Sequence, residues 1–538
     1  MKCHRLARYN KAQSRKDNNK LFSFNEKQFY RKLKGKTEVH QPPSSESFQN
    51  YWENIWTHSI KHNKDAEWIN NEKIQSETIT EMEFQNIELA EFRNIVNKTH
   101  SWKAPGVDYI QNFWFKKLHI LHYKLIDQIT DIIKGNTILP EFLTKGVTYM
   151  IPKSNKTNNP SQYRPITCLP TLYKIITSCI TYRISKHLET NKILTEEQKG
   201  CKKLHRGCKE QLIIDSTVLK HVQKSQKSLF VSYIDYKKAF DSIPHTWLIE
   251  ILEIYKISPI IINFLKKTMQ NWKTTIHLKS NFVNISTRII NINRGIFQGD
   301  SLSPLWFCVA LNPLSKLLNV SKLGFEIKSN RKTLHRLSHL LYMDDLKLYS
   351  SKEANMVKLL DITTNFSADI RMNFGLDKCR KLNIVKGKIT EGDYKLSEQD
   401  SITAMKNNEL YKYLGYNQAR LLDHKSIKDK LKKEYFSRIN LLGKQQLCSK
   451  NLFKALNTYA IPVLTYSFGI IKWSNTDIKQ LESKTRTTLT QNRFHHPKSA
   501  IERVTLAREV GGRGLIDITY LHNKQLVNLK QFFYHKIK

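Results

Sequence analysis

Residues 229–234 are almost all apolar or β-forming, a short unbroken run that predicts a strand buried on both faces and closed by the charged Asp235. Around residue 340 the pattern changes. Leu340-Leu341 precede the tetrapeptide Tyr342-Met343-Asp344-Asp345, and Leu346-Lys347-Leu348-Tyr349 follow it with apolar and polar positions alternating. That predicts a β-hairpin with two adjacent carboxylates at its tip. Gly295 and Gly299 bracket Gln298, and Asp300-Ser301 offer capping chemistry to an apolar run from Leu305 to Leu318 with helical spacing. Residues 420–538 read as largely helical, with Leu431, Tyr435, Ile439 and Leu442 on one face. Ser474 to Asp477 match a capping box ahead of Ile478 and Leu481. Residues 46–100 also read as helical, the basic arm of residues 1–40 as helical only from Phe24 to Leu33, and residues 386–408 as a polar loop or hairpin. Gln41-Pro42-Pro43-Ser44-Ser45 is a linker signal.

Composition adds a partner. The 538 residues, 40% hydrophobic, suffice for several cores. Lys plus Arg number 88 against 47 Asp plus Glu, a formal charge of +41, which argues for a polyanion. The excess is uneven: residues 1–40 carry net +9, residues 51–100 net −4 and residues 425–500 net +11. Phosphate backbones therefore belong near the arm and the C-terminal region, with strongly salt-dependent binding. No apolar run reaches the ~20 residues needed to span a bilayer, and neither a lipidation motif nor a secretory signal is present. The 8 cysteines are scattered, as in a protein with reduced thiols. Cys201, His205 and Cys208 lack a second pair of zinc ligands and read as part of a basic loop.

The candidate chemistry follows from the carboxylates. Two neighbouring Asp residues at a tight turn repel each other unless a cation sits there, and Mg²⁺ is the cation that takes carboxylates together with phosphate oxygens. Asp235, closing a buried strand, is a third such group. Lys153 and Arg164, the latter in Tyr163-Arg164-Pro165-Ile166, put two cations ahead of them.

In this order the segments resemble the reverse transcriptase family, specifically the polymerases of non-LTR, LINE-type, single-frame retrotransposons. The resemblance runs from about Ser101 to about Gly415. It is carried by Ser101 to Asp108, Lys153 with Tyr163 to Ile166, Asp235 to Asp241, Gln298-Gly299, Tyr342 to Asp345, Asn373 to Cys379 and Tyr413 to Tyr416. Downstream, His495 to Lys498 and Gly511 to Leu515 also resemble those elements.

The resemblance implies an α+β right-hand polymerase with fingers, a palm of antiparallel sheet packed on helices, and a helical thumb. The implied divisions are an arm and linker at 1–45, a helical N-terminal extension at 46–100, mainly fingers at 101–228, the palm at 229–395, a primer-grip-like hairpin at 396–418, and the thumb and C-terminal region at 419–538. It implies RNA-directed DNA polymerase activity by two-metal nucleotidyl transfer, in the service of retrotransposition. Asp235, Asp344 and Asp345 are the implied catalytic residues. Asp344 is the direct ligand of two Mg²⁺ ions, with Mn²⁺ as a substitute, Asp345 a looser ligand, and the Tyr236 carbonyl a further one. Lys153, Arg164, Tyr236, Phe240, Gln298, Gly299 and Lys378 are the implied nucleotide-binding residues. Among them, Lys153 and Arg164 face phosphates, Phe240 is a gate against a 2′-hydroxyl, Gln298 touches the nucleotide and template, and Lys378 is the acid for pyrophosphate. The implied partners are an RNA template, a DNA primer or nicked target DNA, and dNTPs, in the nucleus and cytoplasm, with no membrane. The zinc-binding and endonuclease regions that usually accompany such polymerases do not appear in the sequence, nor does an RNase H region. The competing expectations are a decayed retroelement fragment that only binds nucleic acid and a maturase-like RNA-binding protein.

Overall fold

The computed structural model describes residues 2–34, 42–153, 158–279, 284–329, 332–407 and 409–537. The tail of the basic arm, Gln41 of the linker and residue 408 of the polar segment lie outside them. The chain divides into two compact units. One comprises Glu38–Cys208 and Ser225–Lys406, the other Met1–Thr37, Lys209–Lys224 and Asn407–Lys538. Both mix helices with antiparallel strands, an α+β architecture.

The first of these units carries the predicted chemistry. Its main strands are β1 (Lys145–Pro152), β2 (Tyr163–Cys168), β3 (Leu229–Ile234), β4 (Lys273–Lys279), β5 (Asn284–Ser286), β6 (Ile290–Asn291), β7 (Phe325–Ser329), β8 (Lys332–Leu337), β9 (His339–Tyr342), β10 (Asp345–Ser350), β11 (Arg380–Val385) and β12 (Lys388–Thr390). One sheet runs β2-β1-β4-β5, with β6 also paired to β4. Within it β1 and β2 are antiparallel, while β1 and β4 are parallel. The other sheet runs β12-β11-β3-β10-β9 and is antiparallel throughout.

All six residues of β3 are buried. Its position explains why: β10 and β11 cover both of its edges, and helix Glu353–Asp369 packs against it. That is the environment its unbroken apolar run requires. On β10 the alternation is less simple than expected. Leu346 and Leu348 are buried, and so is Lys347, whose ammonium lies 4.6 Å from the Tyr233 ring centre and 5.4 Å from that of Tyr349. Two aromatic faces take the place of water around that charge.

The predicted helix after Gly299 is present as Ser303–Val320. Its start differs from expectation: the capping position falls on Leu302, with no side-chain cap. The Asp300 carboxylate instead accepts from the Thr177 hydroxyl at 2.6 Å and from the Ser301 N–H at 2.7 Å. Pro304 in the first turn has no N–H to satisfy, so the helix needs less capping there. Residues 46–100 hold three helices, Ser45–Trp56, Glu67–Gln75 and Leu89–Lys98, with extended chain between the last two.

The second unit is more helical than the sequence suggested at its start. Lys2–Phe24 is one helix and Glu26–Lys34 another. Phe22 meets Phe29 edge-on with ring centres 5.2 Å apart, and Tyr30 stacks on Tyr459 at 5.0 Å. Tertiary packing therefore orders an arm whose propensities are weak. The C-terminal helices are His424–Gly443, Ser449–Ala455, Asn475–Gln491 and Ile518–Ile537. Tyr435, Ile439 and Leu442 are buried along one face of the first, with Leu431 half-buried. The Ser474 capping box forms with both of its bonds, and Asp477 also accepts from Lys428 at 2.6 Å. Tyr411–Tyr413 pairs with Tyr416–Gln418 across Leu414-Gly415, both at positive φ, as a tight hairpin turn demands.

Candidate functional site

Strands β9 and β10 meet in a two-residue turn, Met343-Asp344, with Tyr342 paired to Asp345. Met343 has φ +58, a left-handed conformation that a side chain disfavours. On the other side of β10, Leu346 pairs with Ile234 of β3. The ladder ends at that pair, and one residue beyond it on each strand the charge of Asp235 acts on Asp345. Two carboxylates far apart in sequence are thus neighbours because their strands are adjacent, and Asp344 joins them from the turn.

The electrostatics record the crowding. Burial first, and then the charges of Asp344 and Asp235, push the Asp345 carboxyl up to about 7. Burial and the charge of Asp235 raise Asp344 as well. Asp235 accepts from the Lys378 ammonium at 2.9 Å. Burial works to lower Lys378, but its bond to Asp235 and the surrounding carboxylates outweigh this and raise it. Among the described residues no group of three or more His, Cys, Asp or Glu side chains is arranged to hold a metal ion. The Lys378 ammonium is the cation at Asp235, and the repulsion left on Asp344 and Asp345 is what a further cation would relieve. The donor set, all oxygen, suits Mg²⁺. Tyr236 bridges Phe374 as a pair that exchanges no hydrogen bonds: the neighbouring bonds run from the Lys237 N–H to the Asn373 carbonyl and from the Gly375 N–H to the Asp235 carbonyl. The Tyr236 carbonyl is therefore left outside that bridge.

A cleft of about 300 Å³ opens beside these carboxylates, lined by Lys153, Arg164, Asp235, Tyr236, Phe240, Gln298, Asp344 and Lys378, together with Tyr163, Pro165, Lys238, Ala239 and Asp241. Of the predicted residues, only Gly299 and Asp345 are not in that lining. Arg164 comes from β2, where it pairs with Ile151, and the Lys153 N–H continues the ladder to the Gln162 carbonyl at 3.0 Å. The cleft is cationic at this end: burial, and then the charges of Lys378 and Arg164, lower the Lys153 pKa. Phe240 is half-buried, stacked on Phe307 with ring centres 4.8 Å apart. The Gln298 carbonyl accepts from the Thr167 N–H at 2.8 Å, which ties this segment to β2. Gly299 sits at φ +141, and a Cβ there would lie 2.3 Å from the Thr167 carbonyl oxygen, so no side chain fits.

Two charged residues of this cleft, Asp241 and Lys238, were not singled out as site residues from the sequence. Asp241 is almost fully buried, accepting from the Trp56 indole at 3.2 Å and from the Gln298 amide at 3.1 Å, and burial pushes it up to about 6. The Lys238 ammonium donates to the Ser161 carbonyl at 3.0 Å and lies 4.3 Å from the Trp52 ring centre. Burial brings Lys238 down to about 8. The available signal was a charged pair, Lys238 and Asp241, flanking the apolar Ala239-Phe240. Of the Cys201, His205 and Cys208 cluster, Cys201 lies against Met343, the two sulfurs 3.7 Å apart.

Part of the chain resembles known proteins. Residues 151–418 match the family described as reverse transcriptase (RNA-dependent DNA polymerase). The chain is 24% identical over 381 residues, 70% of its length, to the retrovirus-related Pol polyprotein from type-2 retrotransposable element R2DM of Drosophila melanogaster, covering 34% of that protein. It is 28% identical over 220 residues, 41% of its length, to the retrovirus-related Pol polyprotein from type-1 retrotransposable element R2 of Popillia japonica, covering 29% of it. It is 30% identical over 231 residues, 42% of its length, to the probable RNA-directed DNA polymerase from transposon X-element of Drosophila melanogaster, covering 24% of it. The chain thus spans a quarter to a third of the length of these relatives. The match lies over β1, β2, β3, β9 and β10 and takes in Lys153, Arg164 and the three aspartates, so residues 151–418 belong to the reverse transcriptase family, and the relatives they resemble are proteins of retrotransposable elements and transposons.

Proposed function

We propose that this chain is an RNA-directed DNA polymerase that extends a DNA primer, or the end of nicked target DNA, on an RNA template in retrotransposition. The observation that carries the reading is the convergence of Asp235, Asp344 and Asp345 on adjacent strand ends beside a cationic cleft. In this reading residues 229–395 are the palm, 101–228 mainly the fingers, 396–418 a primer-grip hairpin and 419–538 the thumb, behind the arm and extension of residues 1–100. The charge of +41 supports a nucleic-acid partner.

The cleft residues divide the work of binding. Arg164 presents a rigid planar fork of donors to the triphosphate and Lys153 a point charge. Phe240, braced by Phe307, stands where a ribose 2′-hydroxyl would enter and favours a deoxynucleotide. Gln298, oriented by Asp241, contacts the incoming nucleotide. Asp235, Asp344 and the Tyr236 carbonyl would hold two Mg²⁺ ions, with Asp345 alongside, and these would supply Lewis-acid activation of the 3′-hydroxyl and charge neutralisation at the leaving phosphates. Lys378 stays protonated through its contact with Asp235, and it gives its proton to the departing pyrophosphate.

The test is primer extension on a heteropolymeric RNA template with Mg²⁺ and dNTPs, beside the Asp344→Ala, Asp345→Ala double variant. Extension by the parent and none by the variant is expected. A parent that binds template-primer and never extends it would reduce the chain to a nucleic-acid-binding protein.

A further inference from the structure

The turn that carries Asp344 is held by a residue from a distant segment. Gln198 has no exposed surface. Its carboxamide oxygen accepts from the Met343 N–H at 3.1 Å and from the Gly200 N–H at 2.8 Å, and its amide nitrogen donates to the Met343 carbonyl at 3.4 Å. The segment around it is docked on β9 as a short parallel edge. The Glu197 carbonyl accepts from the Leu341 N–H at 3.1 Å, and the Leu341 carbonyl from the Lys199 N–H at 3.0 Å. Beneath the turn, the Met343 sulfur lies 3.4 Å from Cys308 Sγ and 3.7 Å from Cys201 Sγ. A Cβ on Gly200 would stand 2.7 Å from that sulfur, so the glycine makes room for the methionine.

From this geometry we infer that Gln198 is a positioning residue for nucleotidyl transfer, fixing the Met343-Asp344 turn so that the Asp344 carboxylate faces its cation. The inference rests on the polymerase reading above. The Met343 N–H belongs to the peptide before Met343, and the Met343 carbonyl to the peptide that leads into Asp344. Holding both fixes the two peptide planes on either side of a residue at φ +58. Left alone, a non-glycine residue there would relax by rotating those planes, and the Asp344 carboxylate would rotate with them. A carboxamide can do this with one side chain, because it carries an acceptor oxygen and a donor nitrogen on the same planar group. A glutamate in its ionised form only accepts, and methionine of the same length does neither.

Two variants test it, Gln198→Met and Gly200→Ala, the second acting on the same turn by pushing on the Met343 sulfur. Three quantities are read: kcat and dNTP KM in primer extension, template-primer Kd with thermal melting, and Mn²⁺ affinity by electron paramagnetic resonance. The expected result is a loss of about tenfold or more in kcat and a matching loss in Mn²⁺ affinity. KM for dNTP, template-primer Kd and melting should stay within about twofold of the parent or near its value. Either variant with the parent's kcat and Mn²⁺ affinity overturns the inference. So does a joint collapse of melting, template binding and activity in both, since that assigns Gln198 to the scaffold. If the parent binds Mn²⁺ but extends no primer, the polymerase reading fails, while the Mn²⁺ comparison still decides whether Gln198 orients the turn.

Discussion

The crowded carboxylates make a stability prediction that needs no substrate. Asp345 has an ordinary carboxyl value of 3.8 and is pushed to about 7 in the folded chain. A folded-state pKa above the unfolded one means the folded chain holds the proton more tightly. The contribution of Asp345 to stability without metal is therefore greatest below about pH 4, falls as pH rises, and stops falling above about pH 7. A shift of roughly three units corresponds to a ceiling of ~4 kcal/mol, and solvent at the open side of the turn reduces the expected value to ~2 kcal/mol. Replacing Asp345 with Asn removes the charge at constant size. In EDTA, urea denaturation should put Asp345→Asn ahead of the parent by only ~0.5 kcal/mol near pH 4.5 and by ~2 kcal/mol at pH 8. Adding Mg²⁺ at pH 8 should narrow the gap, because a cation between the carboxylates stabilises only the parent. Parallel stability curves for the two proteins between pH 5 and pH 8, or a variant less stable than the parent at pH 8 in EDTA, would refute the reasoning.

Three further outcomes are expected. Asp235→Asn should reduce primer extension by a factor on the order of 10³ or more while template-primer Kd in a filter-binding assay stays near the parent's, because the loss falls on the reacting centre. Phe240→Val should relax discrimination against ribonucleotides by about 10–100-fold in the ratio of kcat/KM values, and an unchanged ratio would show that the ring stacked on Phe307 is only packing. Gly299→Ala should destabilise by ~2–3 kcal/mol in thermal melting, since its Cβ would collide with the Thr167 carbonyl and its φ of +141 is closed to alanine.

Much was legible before any coordinates, and each case has a local cause. The unbroken run of residues 229–234 is buried as β3, because a central strand has no polar face to show. The Tyr342–Asp345 hairpin, the helix at residues 303–320 and the Ser474 capping box were readable from short-range spacing and side-chain chemistry. The helix start at Ser303 and the long N-terminal helix were misjudged where one residue's capping chemistry, or weak propensity, was overruled by packing. The sequence by itself determined which groups are available: three aspartates, the cations Lys153, Arg164 and Lys378, and Phe240, Gln298 and Gly299. Only tertiary structure decided that Asp345 comes near Asp235, that Lys378 reaches Asp235, that Asp241 is buried beside Trp56, and that Gln198 grips the Met343 peptides. Strand register and side-chain hydrogen bonds between segments more than a hundred residues apart leave no periodic trace along the chain. They exist only once the sheet has closed and excluded the water that would otherwise satisfy the same polar groups.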